Sequence, residues 1–107
     1  MAIDIHVADH SEEFLAELRR RIPVACEECG LAAEGYAKRL CPVDTGRLRN
    51  SITHTADEDT AYVGTNVEYA PYVEMGTSRT RAQPFIKPAV IDHTREYKQI
   101  IESRLNG

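Results

Sequence analysis

The sequence predicts an α+β fold, an antiparallel β-sheet packed by a long N-terminal helix and a C-terminal helix. Three observations predict it. Apolar residues recur at helical spacing between Phe14 and Leu40. Two short strand-like runs, residues 52–56 and 61–67, flank the polar turn Asp57-Glu58-Asp59. A second helical stripe then runs through Val90, His93, Tyr97, Ile100, Ile101 and Leu105. A length of 107 residues allows one domain, residues 1–107, with a modest core. Five Tyr, two Phe and no Trp make that core thin.

Taken in chain order, Ile3, Ile5 and Val7 alternate with polar residues, which predicts a short strand. Asp9 or Ser11 then offers an N-cap, and Glu12 stands three residues after Asp9, as in a capping box. Phe14, Leu15, Leu18 and Ile22 begin a helix. Pro23 removes a backbone donor and disfavours helical geometry at Ile22, so a kink or break is expected there. The pattern resumes with Ala25, Cys26, Cys29, Ala32, Ala33, Tyr36, Ala37 and Leu40. Gly30 and Gly35 each weaken this helix by roughly 1 kcal/mol relative to Ala and leave room for a close neighbour. Arg19-Arg20-Arg21 reads as a solvated face balanced by Glu12, Glu13 and Glu17.

Pro42 ends the helix. With Asp44 as N-cap, Val43 and Leu48 take the two positions of a hydrophobic staple, so residues 45–50 should form one short turn of helix. After the hairpin, residues 69–75 are a short helix with Pro71 in its first turn and Gly76 as its stop. Tyr69, Tyr72 and Val73 suggest that this helix packs on the sheet. Residues 77–83 form a polar loop with no apolar anchor before Phe85, expected to be mobile. The final helix should run from about Pro88 to Leu105 without interruption.

The formal net charge of -4 argues against a protein whose main task is gripping nucleic acid. No run of 18 apolar residues exists to span a membrane, and residues 1–9 lack the apolar stretch of a secretory signal, so the chain is expected to work in the cytosol of the cell that makes it. Cys26, Cys29 and Cys41 are odd in number and do not read as a disulfide framework. The C-x-x-C at residues 26–29 sits in mid-helix rather than at a helix start, and His6, His54 and His93 are scattered. No nucleophile or phosphate-binding motif is present. The expectation is no enzyme, with no catalytic, cofactor-binding or metal-ligating residue, no cofactor, and three structural thiols.

The sequence is most distinctive in three segments: C-P-V-D-T-G-R-L-R-N-S-I at residues 41–52, N-V-E-Y-A-P-Y-V-E-M-G-T at 66–77, and A-Q-P-F-I-K-P-A at 82–89. In this order they resemble a phage family, the small head–tail joining proteins of long-tailed phages. These are the gene-product-ten-like neck, tail-completion or minor tail proteins of HK-type siphophages. The resemblance implies a structural virion protein that joins head to tail or completes the tail. It implies a homo-oligomeric ring, docking to other phage neck and tail proteins, and a place in the virion, reached from the host cytoplasm during assembly.

Arg47 and Arg49 fall in the first of these segments, and Arg79 and Arg81 in the loop between the second and the third. They read either as solvated surface charge or as an interface, where the guanidinium fork would meet carboxylates of a neighbouring subunit. Glu74 joins them as an interface candidate. It lies among apolar residues, where a carboxylate needs a partner: the amides at the start of the helix at residues 45–50, Arg47 or Arg49, or a group across a subunit boundary. Exposure at the helix end is the bland reading. Basic loops on an acidic chain favour head-to-tail contacts, which close into rings. The alternative is a small intracellular α+β binding module that contacts nucleic acid through the Arg-rich loops, and a more remote one is a metal protein or enzyme using the three cysteines. The leading expectation is no specific nucleic acid and no membrane.

Overall fold

The computed structural model describes residues 2–42 and 46–106, with side chains from Glu12 onward. One helix dominates. α1 spans Ala2–Leu40, a rod about 58 Å long. The remaining elements are α2 (Arg47–Ser51), β1 (Thr53–Ala56), β2 (Ala61–Gly64), α3 (Ala70–Met75), α4 (Ile86–Ile91) and α5 (Thr94–Asn106). α1 contacts α2, both strands, α4 and α5, so the other elements are arranged along its C-terminal half. This is the expected α+β class, a two-stranded antiparallel sheet with helices packed on it.

One expectation fails within α1: the strand predicted at Ile3–Val7 is helical. Of the kink or break expected at Pro23, a break does not occur. A strand needs a partner for its backbone groups, and β1 and β2 pair with each other. A helix needs none, since each added residue closes its own hydrogen bond once a nucleus exists. At Pro23 the missing donor forfeits one bond to the Arg19 carbonyl, on a turn whose side chains at positions 19 and 20 are exposed. The capping roles expected of Asp44 and Val43 lie outside the described residues.

The hairpin pairs Thr53 with Gly64, His54 with Val63, Thr55 with Tyr62 and Ala56 with Ala61. His54, Ala56, Ala61 and Val63 lie on its less exposed face, and Thr53, Thr55 and Tyr62 face solvent. The acidic tip closes on itself: Asp57 donates its amide to the Thr60 carbonyl, and its carboxylate accepts the amides of Asp59 and Thr60. The second strand is shorter than expected. Thr65 leaves the sheet to bond the Ser51 hydroxyl and to accept the Val67 amide.

The single C-terminal helix expected from about Pro88 is two helices, with Asp92 and His93 between them. The break turns α5 back along α1. His93 stacks flat on Tyr36 of α1, with ring centroids 3.5 Å apart. Tyr97 bridges the break by donating its hydroxyl to the Ala89 carbonyl at 2.5 Å; burial pushes its phenol up to about 12, so it stays protonated and donates. α5 then runs antiparallel to α1, through Tyr36–Glu96, Cys29 to the Tyr97 carbonyl, Glu28–Arg104, and Arg21 to the Leu105 carbonyl.

Candidate assembly surface

The three distinctive segments meet in one core. The first contributes Cys41, Leu48 and Ile52, the second Val67 and Ala70, and the third Phe85 and Ala89; all pack with Ala37 of α1. Phe85 and Ile52 are the largest fully buried side chains.

Glu74 stitches the second segment to the third. Its Oε1 accepts the amides of Phe85 at 3.1 Å and Ile86 at 2.9 Å, and its Oε2 accepts that of Lys87 at 3.1 Å. These are donors at the start of α4, which have no acceptor within a helix. The carboxylate is therefore satisfied by a helix start, but that of α4, and neither by the helix at 47–51 nor by Arg47 or Arg49. Gly76 makes the connection possible. Its φ is 79°, and a Cβ there would lie 2.7 Å from the Ala82 nitrogen; only Gly fits both conditions.

Residues 77–83 are more tightly held than their composition suggests. Thr77 donates its amide to the Thr80 carbonyl, its hydroxyl oxygen accepts the amides of Arg79 and Thr80, and Gln83 donates to the Val73 carbonyl at 2.8 Å. This compact turn presents Arg79 and Arg81 to solvent. Beside it lies an open groove of about 270 Å³, lined by Pro42, Tyr69, Tyr72, Val73 and Arg81 among others. Tyr72, which lines it, is 62% exposed, and Met75 at the end of α3 is 74% exposed. The expectation that Tyr72 packs inward is therefore corrected: α3 turns Ala70 and Val73 to the core and Tyr72 outward.

The four arginines divide. Arg47 forms a fork with both Glu68 oxygens, at 3.2 and 3.0 Å, and lies over the Tyr69 ring. Both side chains of that pair are exposed, so it orients the loop more than it stabilises it. Arg49, Arg79 and Arg81 are exposed and make no ion pair among the described residues.

One arrangement had only a faint sequence signal. His54 of β1 places Nε2 2.6 Å from Glu27 and Nδ1 3.1 Å from Glu34, both on α1. Only the imidazolium donates from both nitrogens, and the hydrogen bonds to Glu27 and then Glu34 hold its pKa above the ordinary value. The ring rests on Gly30, whose added Cβ would lie 2.9 Å from His54 Cδ2. Glu27, Gly30 and Glu34 fall on one helix face, a spacing visible in the sequence, but nothing local names the strand residue that fills it.

The cysteines form no disulfide, and burial raises each thiol pKa. Cys41 belongs to the motif core. Among the described residues no group of three or more His, Cys, Asp or Glu is placed to hold a metal. No helix of the described residues is long and apolar enough to cross a membrane.

The fold is α+β, and the distinctive segments build its core and its turns. The sequence matches the HK97-gp10-like family (bacteriophage HK97-gp10, tail-component) over residues 7–76, about two thirds of the chain, and the protein belongs to that family. The match takes in the first distinctive segment and the second up to Gly76, and the third lies beyond it. The chain matches no curated protein and no solved structure.

Proposed function

We propose that this protein is a structural virion component that joins head to tail, or completes the tail, by assembling as a ring and docking onto other phage proteins. Its membership of a tail-component family carries this reading. The surface agrees with it: the residues left over after the core is built are exposed tyrosines, a methionine and arginines on held turns. Tyr, Met and Arg are the types enriched at protein interfaces. The protein works without a cofactor, catalyses no reaction, and moves from the host cytoplasm into the particle as assembly proceeds.

Disrupting the gene in its phage tests the reading directly. The expected result is full heads alongside unjoined or unfinished tails in electron micrographs, with infectivity restored by the protein supplied in trans. Wild-type particles purified from the parent phage should contain the chain in several copies by quantitative mass spectrometry. Normal, infectious particles from the disrupted phage would sink the proposal.

A further inference from the structure

The body of the molecule starts near Arg21, which bonds the Leu105 carbonyl at the far end of α5. N-terminal to it, α1 continues as an arm of about 28 Å, and residues 12–16 on it are all exposed. Phe14 is 60% exposed and Leu15 45%. Residues 2–18 include Asp4, Asp9, Glu12, Glu13 and Glu17, and no lysine or arginine. Glu17 is engaged by Arg20 and Arg21, while Glu12 and Glu13 make no ion pair among the described residues.

The groove lined by Tyr69, Tyr72, Val73 and Arg81 has the opposite character. Residues 75–91 include Arg79, Arg81 and Lys87 and no Asp or Glu. Glu74, on the same short helix as Tyr72 and Val73, is taken up by the α4 amides, and Glu68, next to Tyr69, is held by Arg47. Pro42, just past the end of α1, forms part of the lining. Phe14 and Pro42 are thus separated along the helix by about 40 Å, and a rigid helix cannot bring its own arm to its own groove.

Resting on the reading as a ring-forming component, we infer that the N-terminal arm of α1, through Phe14, Leu15, Glu12 and Glu13, docks on a second copy of this chain, in the groove formed by Tyr69, Tyr72, Val73 and Arg81, with Arg79 on the turn beside it. The charges are complementary, which sets orientation and excludes arm-to-arm and groove-to-groove pairing. An arm of about 28 Å crosses the whole of a neighbour whose shorter dimensions are 23 and 19 Å. The contact is head-to-tail. Each copy keeps one arm and one groove free, so the contact repeats until a ring closes.

The test uses the full-length chain and two variants at exposed positions, Phe14→Glu with Leu15→Glu, and Arg79→Glu with Arg81→Glu. Circular dichroism melts confirm that both fold. In sedimentation velocity the wild type should associate as concentration rises, and each variant should associate about thirtyfold more weakly or less, the loss typical of an interface hot spot. An equimolar mixture of the variants should form a heterodimer and stop there, since it holds one working arm and one working groove. Benzoylphenylalanine in place of Phe14 should cross-link to residues 69–83 of another copy. A wild type that stays monomeric to millimolar concentration, a mixture that stays monomeric, or cross-links that run to α1 of another copy would overturn the inference. The same cross-linker in purified particles separates the two claims. Particles that contain the chain but cross-link it at position 14 to a different protein overturn the arm-to-groove contact alone, whereas particles without the chain overturn the reading of the protein as a virion component.

Discussion

Glu74 carries more of the local structure than any other charged residue. Its three amide partners come from a segment 11 to 13 residues away in sequence, so it fixes the approach of α4 to α3. Glu74→Gln removes the charge and one acceptor, and should lower stability by on the order of 1–3 kcal/mol, read as a shift in the midpoint of urea unfolding of the isolated chain. An unchanged midpoint would mean that the three amides are satisfied without it. His54 makes stability depend on pH. Its folded pKa lies above the ordinary 6.5, so its contribution is whole below that value and is lost as pH rises through the raised pKa. Glu34, whose pKa is held below 4.5 first by the His54 hydrogen bond, contributes fully above 4.5 and loses its share as pH falls through the lowered pKa. Stability from this cluster should therefore be greatest between those limits. His54→Gln should flatten the decline on the alkaline side, and a variant that declines as steeply as the wild type would assign the effect elsewhere.

At the scale of an element, the two glycines of α1 separate helix propensity from packing. Gly35 has no heavy atom within 4 Å of an added Cβ, so Gly35→Ala should stabilise by roughly 1 kcal/mol. Gly30→Ala makes the same propensity gain but forces the ring of His54 off its two carboxylates, and should be destabilising on balance. Thermal melts of the two variants, moving in opposite directions, would show that α1 is tuned to its neighbour. If both variants melt higher, His54 has room that the geometry denies it. The interruption of the C-terminal helix follows the same logic. A continuous helix from Pro88 would be locally favourable, yet stopping at Asp92 lets His93 stack on Tyr36 and Tyr97 reach Ala89. Tertiary contacts outweigh a few residues of helix continuity.

The whole molecule is long for its size. Its Cα radius of gyration is 18.5 Å and its extents are 64 × 23 × 19 Å, against about 13 Å for a compact chain of this length. Small-angle scattering from the monomeric Phe14→Glu/Leu15→Glu variant should return a radius near the larger value. A value near the smaller one would mean that the arm folds back on the body in solution. The buried anchors are concentrated where the three distinctive segments meet α1, and the rest of the helix is free to act as a projecting element.

The sequence by itself determined the α+β class and the positions of most elements, because these follow from local periodicity, turn formers and apolar spacing. Leu48, a staple position, and Phe85, the first apolar anchor after the polar loop, stand out in the chain, and they meet in the structure. The ordered segments also carried the family resemblance that the match over residues 7–76 shows. Only the tertiary structure decided what each exposed or charged group does. It made residues 3–7 helical, since no third strand pairs with the hairpin. It carried α1 through Pro23, gave Glu74 to α4 rather than to the helix at 47–51, turned Tyr72 outward, and set His54 between two carboxylates. The physical reason is common to all of these. Propensity acts over a few neighbouring residues, whereas the partner of a buried polar group, and the choice between helix and strand for a short alternating run, depend on what the folded chain brings beside it.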